Sequence, residues 1–309
     1  YKVIISIIIV LLALIGLDYS NVINIGAINS NVKYWFDNAG NYISGEFAEG
    51  NTQTTVIKGQ NVVVHFIDVG QADSILVQSN GENMLIDAGT NEAGSKVVKY
   101  LKEQNITKID YLVGTHPHED HIGGLDDVID NFDIGTIYMP KIQTNTKTFE
   151  SVLDSIAKKN LKITSPNVGD TFNVGNASCE IMACGTGSSK EKNNLNLSSI
   201  VIRMVYGNQS FLFTGDMEKE NEEARQWPEA TVLKVAHHGS DTSSSARFLN
   251  QIKPKIAIIS VGQDNSYGHP KQITLEKLKD MDTTIYRTDL SGTIIITCDG
   301  NECKVKTQK

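Results

Sequence analysis

Residues Val3 to Leu17 read V-I-I-S-I-I-I-V-L-L-A-L-I-G-L, an apolar run with no polar face. A core helix would show one apolar stripe, whereas this run sits near the lower length limit for a membrane span. Lys2 precedes it, Asp18 follows it, and no convincing small-x-small cleavage site comes after it. An uncleaved signal anchor over residues 1–18 is the first expectation, and a cleaved signal peptide the second. The positive-inside rule then puts the rest of the chain outside the cytoplasm. Residues 19–59 are rich in Asn, Ser, Gly and Thr and read as a linker.

From residue 60 the pattern becomes that of a folded domain, expected to run to residue 309. Val62 to Val69, Asp73 to Gln78 and Asn83 to Asp87 read as strands. Lys96 to Gln104 has helical periodicity, and Ile109 to Gly114 is a strand that runs into a histidine-rich loop. Helices are expected at Gly124 to Asp130 and Phe149 to Lys159. Strands follow at Ser199 to Tyr206 and Ser210 to Phe213, then a helix at Glu218 to Arg225 and a strand at Val232 to Val235. Ser244 to Asn250 and Thr274 to Asp280 read as helices, with a strand at Ile256 to Val261 between them. Thr284 to Arg287 and Thr293 to Lys306 are β-hairpin material. Long stretches of strand with interposed helices predict an α/β (α+β) domain, two sheets with helices on the outside.

The chain has 309 residues, enough for one large domain or two small ones. A net charge of −8 does not suit a general nucleic-acid binder, which would show a basic face. The four cysteines fit an exported domain. Cys298-Asp-Gly-Asn-Glu-Cys303 reads as a hairpin turning at Gly300-Asn301, with the two thiols facing each other and able to bridge. Cys179 and Cys184 have the same spacing but lie on a strand-like run, on opposite faces if it is straight. The alternative is four free thiols.

Candidate chemistry concentrates in Thr115-His-Pro-His-Glu-Asp-His121. Three of the chain's 7 histidines and two carboxylates fall within it. Borderline divalent ions take converging nitrogen and oxygen donors. H-x-H-x-D-H can aim His116 and His118 at one ion, and Asp120 and His121 at a second. Other strand ends add donors. Leu85-Ile-Asp87-Ala-Gly89 ends on an acid that can orient a ligand histidine from behind. Phe211-Leu-Phe-Thr-Gly-Asp216 ends on a carboxylate able to bridge two ions, and Leu233-Lys-Val-Ala-His237-His238-Gly239 ends on a histidine pair.

This set resembles the metallo-β-lactamase fold, and more closely the extracytoplasmic hydrolase domain of ComEC-type competence proteins. The matching residues are Phe66 to Ser74, Leu85 to Gly89, Thr115 to Gly124, Asn196 to Val201, Leu212 to Asp216, Leu233 to Ser240, Tyr267-Gly-His-Pro270 and Arg287-Thr-Asp289. They span nearly everything from Asn61 onward, in family order. ComEC-type transporters also carry a polytopic channel, and this chain shows at most one span. The expectation is a free-standing hydrolase of that group, without a DNA-channel role.

The resemblance implies a four-layer αββα sandwich and two divalent ions, Zn²⁺ or Mn²⁺. His116 and His118 would hold the first ion, and Asp120 and His121 the second. Asp216 would bridge, and His238 or His237 would complete the second ion, the residue before glycine being preferred. The superfamily's usual third-motif histidine is missing, and Asn196 occupies that neighbourhood. An amide oxygen is a weaker and harder donor, so the first ion would bind loosely or favour Mn²⁺. Catalysis would use a water shared by two ions, with Asp120 holding ion and nucleophile. His269 would serve as a donor or acid, or merely cap a turn. Asp68, Gln71 and Asp73 could line the same edge, more as structural support than as substrate contacts. Asp289 and Arg287 read similarly, and His65 reads as an ordinary core or surface histidine.

An extracytoplasmic phosphodiesterase or nuclease is therefore expected, attached to the membrane through its N-terminal segment and acting on a phosphodiester such as DNA. The alternatives are a small phosphodiester, lactone or β-lactam hydrolase on the same fold, and a non-catalytic, metal-stabilised binding domain of the envelope. Nothing in the pattern fixes the oligomeric state.

Overall fold

The structure, a computed structural model, describes residues 61–309. The expected anchor and linker lie outside the described residues. Among the described residues no helix is long and apolar enough to cross a membrane.

Two sheets form the domain. The first runs, in spatial order, Cys303–Thr307 (β15), Ile294–Cys298 (β14), Val62–Phe66 (β1), Ile75–Ser79 (β2), Glu82–Ile86 (β3), Lys108–Val113 (β4), Asp133–Tyr138 (β5) and Ile163–Thr164 (β6). The second runs Thr284–Arg287 (β13), Ile256–Ile259 (β12), Val232–Lys234 (β11), Gln209–Phe213 (β10), Val201–Tyr206 (β9), Ala177–Ala183 (β8) and Thr171–Val174 (β7). Period-2 alternation sends Val62, Val64 and Phe66 of β1 and Ile75 and Val77 of β2 inward. There they meet Ile202, Met204, Phe211 and Phe213 from the second sheet in one buried core.

The outer face of the first sheet, including Leu76 and Leu85, packs against Gly94–Glu103 (α1), Glu119–Ile122 (α2), Leu125–Asn131 (α3) and Lys147–Lys158 (α4). In α4 the Thr146 hydroxyl caps the N-terminus by accepting from the Phe149 N–H, and Phe149, Val152 and Ile156 form its buried stripe. Two short helices follow, Ser189–Asn193 (α5) and Lys219–Glu223 (α6). On the other outer face, Ala246–Ile252 (α7) and Gln272–Lys279 (α8) pack against β11 and β12 through Phe248, Leu249, Ile252 and Leu278. One turn, Thr288–Ser291 (α9), follows β13. The layers are thus helix, sheet, sheet, helix.

β3, β4 and β5 are mutually parallel, as are β10, β11, β12 and β13. The C-terminal ends of each set therefore share an edge, which is where open parallel sheets place ligand-binding loops. β14 and β15 form the expected hairpin. Asp299 donates its N–H to the Glu302 carbonyl around the Gly300-Asn301 turn, and Cys298 is joined to Cys303 in a disulfide. Cys179 and Cys184 are free thiols, with Cys179 buried in β8.

His65 lies on the outer face of β1, buried, with Nδ1 2.8 Å from the Tyr100 hydroxyl of α1. Burial holds its pKa down to about 4 from the usual 6.5. The unfolded chain therefore takes up a proton that the folded chain refuses. Stability from this group is present above pH 6.5 and is lost as pH falls toward 4, worth roughly 3 kcal/mol. Urea unfolding across that interval should show a loss smaller by about that amount in His65→Gln. Equal losses in both proteins would contradict this account.

Candidate metal centre

Asp87 follows β3 at a positive φ of 59°. That turn directs its carboxylate across to the loop after β4. The Thr115 N–H donates to Oδ1 at 2.8 Å and the Thr115 hydroxyl to Oδ2 at 2.7 Å. Nδ1 of His121 lies 2.8 Å from the same Oδ2, so an N–H there fixes the ring and frees Nε2 to face the opposite way. Burial favours a neutral His121, but Asp216, Asp87 and Asp120 overcome it and raise its pKa well above 6.5.

Asp216 is the hub. It follows β10 and Gly215, whose φ is +50°. Its Oδ2 lies 3.3 Å from His121 Nε2, 3.7 Å from both His237 Nε2 and His238 Nε2, and 4.0 Å from His116 Nε2. Asp120 Oδ2 sits 3.3 Å from His238 Nε2 and 3.9 Å from His121 Nε2. Asp120, His121, Asp216 and His238 bring one ligand atom each to within 4.8 Å of one another. His116 Nε2 and His118 Nδ1, 3.0 Å apart, complete the other flank.

The donor set fits cations. His121 Nε2, His238 Nε2 and Asp216 Oδ1 are buried and, among the described residues, have no hydrogen-bond partner. Native proteins rarely leave such atoms unmatched. A divalent ion coordinated by imidazole nitrogens and carboxylate oxygens would satisfy all three, and carboxylates converging on one place require compensating positive charge.

The structure separates the two adjacent histidines. His237, His238 and Gly239 have φ of 51°, 52° and 83°, three left-handed residues in succession. His238 is buried, and its Nδ1 hydrogen-bonds the Ser260 carbonyl at 2.9 Å, leaving Nε2 for the Asp120–Asp216 cluster. His238 is the residue before glycine that the sequence reading prefers for the second ion. His237 points to the other flank. Its Nδ1 is 3.0 Å from Thr242 Oγ1 and 3.5 Å from Asn196 Nδ2. Asn196 donates that amide to Glu218 Oε1 at 2.9 Å, so its buried, unpartnered Oδ1 is the atom left for a ligand role. His237 thus stands beside Asn196.

Asp73 lies behind the cluster. Its Oδ1 is 3.5 Å from His238 Nδ1, and its Oδ2 is 2.6 Å from the buried ammonium of Lys234. Gln71 braces a loop, accepting the Gly262 N–H at 3.0 Å. Asp68 lies elsewhere, caging the Gly70 N–H and lining a cavity with Lys96, Lys99 and Tyr100. His269 stands at the rim, its ring 5.7 Å from that of His237. Arg287 and Asp289 pair with each other. Reasoning from the sequence missed Thr115, Lys234 and Glu218. A lysine inside the apolar Val232 to Val235 strand was the one available signal; Thr115 and Glu218 gave none.

Residues 67–263 carry the sequence profile of the Metallo-beta-lactamase superfamily. The chain belongs to that superfamily. It is 32% identical over 253 residues to ComE operon protein 3 of Bacillus subtilis (strain 168), covering 75% of this chain and 32% of that protein. It is 30% identical over 235 residues to competence protein ComA of Neisseria gonorrhoeae, covering 74% and 31%. The chain thus spans about a third of the length of these relatives. In fold it is similar to the crystal structure of the metallo-β-lactamase fold protein YhfI from Bacillus subtilis. The TM-score is 0.52 at 12% identity, over 77% of this chain and 99% of that one. A metallo-hydrolase fold, relatives among competence proteins and a ligand cluster suited to divalent ions therefore coincide in one chain.

Proposed function

We propose that this domain is an extracytoplasmic metal-dependent phosphodiesterase, a nuclease of the ComEC-like group. The observation that carries the reading is the convergence of Asp120, His121, Asp216 and His238 around buried, unmatched donor atoms at one sheet edge. His116, His118 and Asp216, with His237 and the Asn196 amide oxygen, would hold one ion. Asp120, His121, His238 and Asp216 would hold the other. Bound ions would lower the pKa of a shared water toward neutrality and offset charge developing on phosphoryl oxygens. The chain's own groups pre-orient the donors: Asp87 and Thr115 fix His121, the Ser260 carbonyl fixes His238, and Thr242 fixes His237. His269 is neutral at pH 7, because burial and then the nearby His237 hold its pKa down to about 4. At the rim it can donate or accept a hydrogen bond to a substrate oxygen.

Likeness to proteins named for competence supports a nucleic-acid phosphodiester over a carbonyl ester. The disulfide at Cys298–Cys303 supports an oxidising compartment, and with it residues 1–18 as an anchor and 19–59 as a linker outside the cell membrane.

The test begins with metal-stripped protein reconstituted separately with Mn²⁺ and Zn²⁺. Bis-p-nitrophenyl phosphate, single-stranded DNA and a cephalosporin are then assayed side by side. Metal-dependent cleavage of the first two is expected, with Asp120→Ala folded and at least ~10³-fold slower. Full turnover by that variant, or cleavage of the cephalosporin alone, would refute the reading.

A further inference from the structure

A cleft of about 550 Å³ opens beside His269, within the size range of small-ligand sites. One wall is formed by residues 262–265, Gly268 and His269 of the loop between β12 and α8; the other is formed by Arg287, Asp289 and Leu290. The loop is braced. The Asn265 amide donates to the Gly262 carbonyl at 3.0 Å and the His269 carbonyl at 2.7 Å, and its oxygen accepts the His269 N–H at 3.0 Å.

His269 is the one aromatic ring of the cleft lining, and its walls carry little net charge. Tyr267 flanks the cleft next to the lining residues Gly268 and His269; it is 64% exposed and stacks on His269, centroids 5.7 Å apart and planes 24° apart. Leu290 is 66% exposed on the facing wall. Arg287 is committed to Asp289 through Nε–Oδ1 at 3.0 Å and Nη2–Oδ2 at 2.5 Å. The other charged groups of the wall are Asp264 and Lys309, whose ammonium is paired with Asp68 at 3.9 Å. A phosphate site would present an uncommitted cation or a fan of N–H groups. An exposed ring stacked on a second ring, with amides and a carboxylate nearby, suits a heterocyclic base instead.

The cleft is joined to the metal centre by rings. His237 Nε2 is 3.7 Å from Asp216, the His237 and His269 centroids are 5.7 Å apart, and Tyr267 is one more step of 5.7 Å away. A nucleotide whose phosphate lies at Asp216 has its base to place on this side.

We propose that the Tyr267–His269 cleft is a nucleobase subsite, holding the base of the nucleotide that flanks the phosphodiester at the metal centre. The proposal rests on the phosphodiesterase reading above and adds the substrate element that secures it. Stacking tolerates any base but requires it unstacked from its neighbours, so single strands are the substrate and duplex is not.

The test uses the full chain loaded with metal and single-stranded DNA oligonucleotides of one sequence, with a single abasic position walked along the strand. One position at a fixed offset from the cut is expected to lower kcat/KM about tenfold, the size of one lost base–aromatic stack. Tyr267→Ala should cleave the intact oligonucleotide about tenfold more slowly and lose the dependence on that position, while Tyr267→Trp keeps it. Metal content and melting temperature confirm that the variants are folded. Wild-type rates in Tyr267→Ala, or an undiminished abasic penalty, would overturn the subsite. Cleavage of bis-p-nitrophenyl phosphate with no binding or cleavage of any oligonucleotide would overturn the subsite and spare the metal hydrolase. No metal-dependent cleavage at all would remove both.

Discussion

Asp216→Ala is expected to lose bound metal from both positions and to lower phosphodiester turnover by at least ~10³-fold, while the domain stays folded. Among the described residues Asp216 is the one carboxylate whose oxygen lies within 4.0 Å of imidazole nitrogens from His116, His121, His237 and His238. Removing it takes the shared anchor from both flanks, whereas a change at His118 touches only one. The pH behaviour supplies a second readout. In the metal-free protein Asp216 helps hold the pKa of His121 well above 6.5 and raises that of His238, against burial that works the other way. Stability from these imidazoliums is full below pH 6.5 and is lost as pH rises through their raised values. Cations need the same nitrogens deprotonated, so metal affinity should climb over that range, with proton release on binding. Elemental analysis and calorimetry in two buffers of different ionisation enthalpy would measure both effects. Two ions per chain and unchanged proton release in Asp216→Ala would sink the bridging role.

The sequence made the donor set legible because each donor sits where an apolar run stops. Asp87, the histidine loop, Asp216 and the His237–His238 pair all follow strands, and parallel pairing then carries those ends to one edge. β5, β6 and β7 were not foreseen. The two aliphatic residues of β5, Ile134 and Ile137, are three apart with Gly135 between them, and β6 is two residues long, so neither shows a period of two in sequence. The conformation that separates the His237 and His238 rings was not legible either. It arises from three successive left-handed residues, and the bulky pair gives no local hint of that conformation. Asp68 is a different case, read from the sequence more as structural support than as a substrate contact. A carboxylate two residues past a buried strand resembles the functional acids in pattern, but the chain turns it toward a different cavity.

Lys234→Met is expected to destabilise the domain by about 3–5 kcal/mol, although Lys234 touches none of the proposed metal ligands by hydrogen bond. Alternation along β11 sends Val232 and Lys234 inward, so the ammonium must find its partners inside the protein. It finds Asp73 Oδ2 at 2.6 Å and the Val235 carbonyl at 3.1 Å. Asp73 in turn ties the site together through its backbone, donating to the Asp120 carbonyl at 3.1 Å and accepting the Gly89 N–H at 2.8 Å. Methionine fills nearly the same volume, so the cost is not a cavity. It is the buried Asp73 carboxylate left without its cation, beside an Asp87 whose pKa burial first, and Asp73 in smaller part, pushes up. Removing the carboxylate as well should therefore rescue the loss. Lys234→Met/Asp73→Leu is expected within about 1 kcal/mol of wild type in urea unfolding at an unchanged slope, since an apolar replacement of a buried pair is often neutral. A double variant as unstable as the single one would show that packing around the lysine stem, rather than the unpaired charge, sets the cost. Rescue would mean that the cost of Lys234→Met is the buried Asp73 charge left unpaired, and that the β11 strand end and the Asp73 loop of the opposite sheet pack together as well through an apolar pair as through an ionic one.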